Sequence, residues 1–142
     1  MDETYNLDRT ALRVLGVLIE KQTLTPDVYP MSQNSIVAAC NQLTSREPVM
    51  SLSPDEVGGA IRRLIGMKLV AERQPAGSRS TKYEHRLTWE WRLEGAPLAA
   101  LCLLMLRGAQ TAGELRPRTE RLHPFADREA VEGSLRALAA MD

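Results

Sequence analysis

Leu7, Ala11, Leu12, Leu15, Leu18 and Ile19 recur at three- and four-residue spacing, so residues 8 to about 22 are predicted to form an amphipathic helix capped by Asp8. Pro26 and Pro30 in TLTPDVYP disfavour helix in the residues before them, which makes this segment an extended turn. A second helix is expected from Ser32 to about Leu43 with Ile36, Val37 and Cys40 facing inward, followed by the loop TSREPVMSL. Ser53-Pro54-Asp55-Glu56 is a strong local signal: a serine cap, proline at the first helical position and glutamate placed to complete a capping box. The third helix buries Val57, Ala60, Ile61 and Leu64 and ends at Gly66, where residues 68–73 take on strand character. Residues 75–80 read as a turn around Gly77. From Tyr83 the odd positions Tyr83, Leu87, Trp89, Trp91 and Leu93 alternate with polar ones, the period of an extended segment with one buried face.

Three short helices and a two-stranded ribbon predict a winged helix, whose third helix can enter the major groove while the ribbon follows phosphate or the minor groove. The pattern then repeats. Leu98, Leu101 and Leu104 stand 86 positions after Leu12, Leu15 and Leu18, and Val131, Ser134, Leu135 and Leu138 stand 74 after Val57, Ala60, Ile61 and Leu64. Asp127 falls on the cap position of Ser53, but the second hairpin, due near position 143, lies past Asp142. The expected fold class is mainly α with a small β-hairpin: two tandem winged-helix units, residues 1–92 and 93–142, the second lacking most or all of its wing. Without strands to cover it, the stripe Val131, Leu135 and Leu138 is expected to pack on helix 98–107 and to open more easily than its counterpart in the first unit.

Composition narrows the partners. With 44% hydrophobic residues and a mean hydropathy of -0.25 the chain is that of an ordinary folded protein. Eighteen Lys and Arg balance eighteen Asp and Glu, so any contact with nucleic acid has to be local. The six aromatic residues are too scattered to make a base-stacking platform. The longest apolar run, Ala96 to Leu106, falls short of the roughly 20 residues of a membrane span, which argues against membrane insertion. Two distant cysteines and a start without a secretory signal suggest a reducing cytoplasm.

On the third helix the outward positions are read as Asp55, Glu56, Gly58, Gly59, Arg62 and Arg63, a weak recognition surface whose acids also serve the cap and the helix dipole. Between Arg73 and Arg86 the hairpin carries Arg73, Arg79, Lys82 and Arg86 against Glu84, a local excess of three positive charges suited to phosphate contact. Basic residues on edge strands also deter edge-to-edge pairing. Arg116, Arg118 and Arg121, interleaved with Glu114 and Glu120, read as a solvated helix face.

Enzymatic readings find no support. Cys40 and Cys102 have no CxxC companion, His85 and His123 lie 38 residues apart, and no glycine-rich phosphate loop or GxSxG elbow is present, so no metal and no cofactor are expected. Both cysteines fit inert core positions. His85 alternates inward as a partly buried hydrogen-bonding residue, and His123 anchors the turn before Pro124. Asn34, Asn41 and Gln42 could contact bases, but amides beside an irregular loop more often satisfy its backbone.

The segments EKQTLTPDVYP (20–30), ACNQ (39–42), REPVMSLS (46–53), RSTKYEHR (79–86), LRGAQTAGELRPR (106–118) and ERLHPFAD (120–127) resemble the YceH-type family of uncharacterised bacterial proteins. The resemblance covers nearly the whole chain. It implies two winged-helix units in tandem with a C-terminal extension beyond them, and no established activity. Two functional expectations stand side by side. One is a DNA-binding regulator using Arg62, Arg63, Arg73, Arg79, Lys82 and Arg86 on double-stranded DNA. The other is a protein-interaction module resembling the tandem winged-helix subunits of chromosome-organising complexes. A homodimer is expected because Trp89, Trp91 and the helix 98–106 offer more apolar surface than small units bury.

Overall fold

The computed structural model describes residues 7–46, 48–74, 76, 80–93 and 95–107. The expected readings of Arg79, Gly77, His123, the arginines 116–121 and the helix from Asp127 with its Val131, Leu135 and Leu138 stripe lie outside these residues. Helix α1 (Arg9–Leu24) starts where Asp8 accepts a hydrogen bond from the Ala11 amide at 2.8 Å. Ala11 and residues 13–20 are all buried, because α2, α3 and α5 pack around this helix. A short 3₁₀ turn (Pro26–Val28) follows, and the chain then extends so that Met31 exchanges backbone hydrogen bonds with Tyr83 at 3.0 and 2.7 Å.

Helix α2 (Gln33–Cys40) is capped by Ser32 and stops three residues earlier than the pattern predicts. Asn41 ends it. Its side-chain amide donates to the Leu52 carbonyl at 2.9 Å and accepts from the Leu52 amide at 2.7 Å, pinning the two ends of the following loop together. Helix α3 (Pro54–Gly66) begins with the expected capping box: Glu56 N–H to Ser53 Oγ at 3.1 Å and Ser53 N–H to Glu56 Oε1 at 3.0 Å. Its inward face is Val57, Gly58, Ala60, Ile61 and Leu64. Gly58 was expected outward, and the structure corrects this: a Cβ there would lie 2.9 Å from Gln33 Nε2, which donates to the Pro54 carbonyl and ties α2 to the start of α3. The chain leaves α3 through Lys68 in the left-handed region (φ 64), rather than at Gly66.

Strands β1 (Val70–Arg73) and β2 (Lys82–His85) pair antiparallel, Val70 opposite His85 and Arg73 opposite Lys82. The expected extension of β2 through Leu93 does not occur. After His85 the chain forms a four-residue helix, α4 (Leu87–Glu90), and then turns through Arg92 at positive φ. The Leu87 amide donates to His85 Nδ1 at 3.2 Å and the Trp91 amide to the Leu87 carbonyl at 2.9 Å, so the imidazole caps the helix that replaces the strand. Leu87 and Leu93 are buried under either reading, whereas Trp89, which the period-two pattern turned inward, is 74% exposed.

Helix α5 (Gly95–Arg107) lies along α1 and joins the same core through Cys102 and Leu106. Gly16 makes this approach possible. A Cβ at that position would come within 2.7 Å of Leu106 Cδ2, and Cys102 Sγ sits 3.4 Å from the Gly16 carbonyl oxygen. Among the described residues the fold is thus mainly helical, five helices with one two-stranded antiparallel sheet. No described helix is long and apolar enough to cross a membrane.

Candidate nucleic-acid interface

Alternation along a ribbon places paired residues on a common face. Val70 and His85 face the core, and their neighbours Ala71, Glu84, Arg73 and Lys82 therefore share the opposite face. On that face Arg73 and Lys82 stand directly across from each other, with Glu84 diagonal to Arg73 and accepting a hydrogen bond from its Nε. Lys82 has no ion pair among the described residues. The guanidinium of Arg73 is half exposed, so the pair with Glu84 is a surface one.

The remaining arginines expected at the site divide in the same way. Arg63 reaches across to Asp8 at 3.0 Å, with side-chain exposures of 50% and 58%. Arg86 lies 3.9 Å from Glu90, one helical turn on. This second carboxylate escapes a reading of residues 86–90 as strand, in which the two side chains would stand about 13 Å apart. The local excess of three positive charges counted around the hairpin is reduced accordingly. Arg62 is exposed and has no ion pair among the described residues. Its Nη1 would lie 3.5 Å from a Cβ at Gly58, so it folds back along α3 towards the helix start. Asp55 and Glu56 are exposed in the first turn. Glu56 is held below its ordinary pKa by the Ser53 backbone hydrogen bond, as a capping residue should be.

Other polar candidates serve the fold. Asn41 is committed to Leu52, and Gln42 donates to the Thr44 carbonyl at 2.8 Å and accepts from Lys21 at 3.2 Å. Asn34 stays exposed at the start of α2. His85 is buried: its Nδ1 accepts from Leu87, so the proton sits on Nε2 and is donated to Gln22 Oε1 at 2.7 Å. Burial lowers its pKa to about 4 and keeps the ring neutral. Burial also raises Cys40 to about 12 and moves Cys102 in the same direction, which leaves both as thiols. No group of three or more His, Cys, Asp or Glu among the described residues could hold a metal ion.

Two arginines that the sequence did not mark are buried. Arg46 makes two hydrogen bonds to Glu20, at 2.6 and 3.0 Å, and a third to the Ala39 carbonyl at 3.1 Å; its side chain is fully inaccessible. Burial alone would raise the Glu20 carboxyl, but the hydrogen bonds and charge of Arg46, with Lys21, outweigh it and hold the group below its ordinary value. Arg13 donates to the carbonyls of Cys40 at 3.0 Å and Pro48 at 2.7 Å. Together these residues fasten the loop 41–52 to α1. Leu43 (80% exposed) and Val49 project from that loop.

A family model described as a protein of unknown function, DUF480, matches residues 7–142. Over 137 residues the chain is 58% identical to a UPF0502 protein of Chromobacterium violaceum, covering 96% of this chain and 62% of the relative. It is 56% identical over 137 residues to the UPF0502 protein azo0627 of Azoarcus sp., covering 96% and 61%. A UPF0502 protein of Shewanella piezotolerans is 48% identical over 134 residues, with 92% and 62% covered. The chain therefore spans about three-fifths of the length of the curated relatives it matches.

Proposed function

The chain belongs to the DUF480 family of proteins of unknown function, and on that premise we propose that residues 9–85 are a winged helix that contacts the backbone of double-stranded DNA. The observation that carries this reading is the placement of Arg73 and Lys82 opposite each other on the outer face of the ribbon. Arg62 on α3, exposed and without a counter-ion among the described residues, adds a second element to the same function. A ribbon behind three helices supports the winged-helix assignment for this first unit. Backbone contact suits the residue types: Arg and Lys reach phosphate without reading sequence, whereas α3 offers only Arg62 and Arg63 for base edges. The role is binding rather than catalysis, in keeping with two buried thiols and a neutral, buried His85.

A salt-dependent titration against random duplex DNA tests the reading. Two unpaired cations, Arg62 and Lys82, give a log–log slope of roughly −2 at about −0.9 per phosphate contact. No binding at about 50 mM salt overturns it.

The second reading, a protein-docking module, is favoured by Trp89 at 74% exposure on α4, immediately after the ribbon. A homodimer is a separate expectation, which would serve either reading. Its expected apolar surface is smaller than the sequence implied, because α5 buries Cys102, Leu103 and Leu106 and Trp91 is half-buried. A monomer by sedimentation at about 100 μM, a concentration at which even a micromolar dimer is populated, removes it.

A further inference from the structure

Like charges set directly across an antiparallel pair repel, yet the ribbon places Arg73 opposite Lys82 on its solvent face. Glu84 relieves this by accepting the Arg73 Nε hydrogen bond from the diagonal position, leaving Lys82 without an ion pair among the described residues. We infer that Arg73 and Lys82 are a two-cation clamp for one backbone phosphate and that Glu84 is its built-in placeholder, occupying the guanidinium until DNA displaces the carboxylate. This rests on the DNA-binding reading above and assigns to Glu84 a role in regulating that site.

The energetics permit the exchange. An exposed ion pair contributes between zero and about 1 kcal/mol, because water screens it and ordering two side chains costs entropy. The Arg73 side chain is half exposed and that of Glu84 about a quarter, so this pair belongs to the weak class. A phosphodiester offers oxygens to both cations at once, and its neutralisation releases condensed counterions. Directly opposed side chains have Cβ atoms about 5 Å apart, a separation that two long side chains can converge from. The carboxylate thus holds the wing in a low-affinity state by charge and by occupancy of the donor.

The two contributions are separable by a double-mutant cycle on the full chain: wild type, Glu84→Gln, Arg73→Gln and the double variant, each titrated with random duplex DNA across a salt series. Both substituted positions are on the outer face of the ribbon, and circular dichroism checks that the fold is retained. Glu84→Gln is expected to tighten binding about 3- to 10-fold with the salt slope nearly unchanged, because the clamp engages the same single phosphate once the competing carboxylate is gone. In the Arg73→Gln background the same change is expected to have less than half that effect on log K. An equal effect in both backgrounds means that Glu84 acts through net charge alone and overturns the placeholder while leaving the DNA reading standing. An unchanged affinity in Glu84→Gln overturns it too. If wild type and every variant fail to bind, the DNA reading falls and the clamp falls with it.

Discussion

Arg13 and Arg46 carry the same head group as Arg63, Arg73 and Arg86, yet the two sets are placed in opposite settings. The first two are buried and reach four backbone carbonyls and the Glu20 carboxylate, contacts that tie α1, the end of α2 and the loop 41–52 to one another. The other three lie on the surface and each meets one carboxylate, from Asp8, Glu84 or Glu90. The difference teaches that an arginine's role follows from what its partner loses when the pair is broken. Removing Arg46 strands a carboxylate away from water, whereas removing Arg73 returns Glu84 to solvent. Charge counted along the chain treats the two sets alike, and only burial separates them.

The largest effect should come from the buried set. Arg46→Ala is expected to cost about 3–5 kcal/mol in urea unfolding, because the buried Glu20 carboxylate loses both Arg46 hydrogen bonds and keeps only the Lys21 ammonium at 3.3 Å. A cost below about 1 kcal/mol would place Arg46 with the surface arginines and erase the distinction.

Acid should expose the same contrast. His85 titrates near 6.5 when unfolded and near 4 when folded, so its contribution is present above pH 6.5 and is lost as pH falls towards 4. The loss over that window is about 3 kcal/mol at 1.36 kcal/mol per unit. Glu20, held low by Arg46, adds its own loss below its unfolded value of 4.5. Urea midpoints measured from pH 7 to 4 should show this slope, and His85→Gln should flatten the part between 6.5 and 4.

The start of α3 was fully legible in the sequence, since Ser53, Pro54 and Glu56 act through their nearest neighbours alone. One face of α1 was legible too: Ala11, Leu15, Leu18 and Ile19 are buried as their spacing implies, but Leu12 is only half-buried and the burial of Arg13, Val14, Gly16, Val17 and Glu20 on the other sides of the helix was not implied by it. The run from Leu87 to Leu93 was not. Leucine and tryptophan at every second position satisfy a strand and a tight turn equally, and the deciding interaction, His85 capping the Leu87 amide two residues on, depends on the distant Gln22 to fix the ring. Of the candidate site, the residue types on the ribbon were readable, but the carboxylates from Asp8 and Glu90 were not, because they arrive from other elements. Arg13 and Arg46 gave no signal at all: one sits between apolar residues in α1 and the other in an irregular loop, and neither position implies burial.

A smaller effect is expected at the loop that the buried arginines hold. Asn41→Ala removes both hydrogen bonds to the Leu52 backbone and should cost about 1–3 kcal/mol, read by thermal or urea unfolding. The smallest belongs to the surface set: Arg63→Gln, which frees Asp8 to water, should change stability by less than about 1 kcal/mol. A larger loss there would mean that the surface pairs are structural and unavailable to a ligand.

Arg62 and the half-buried Lys82 have to be free for phosphate, and the salt dependence of duplex DNA binding by Arg62→Ala/Lys82→Ala tests this most directly. Neither residue has an ion pair among the described residues, so the substitution should leave unfolding nearly unchanged. It should reduce the log–log salt slope by about two and weaken binding at low salt. A double variant that binds DNA with the slope and affinity of the wild type would contradict the account.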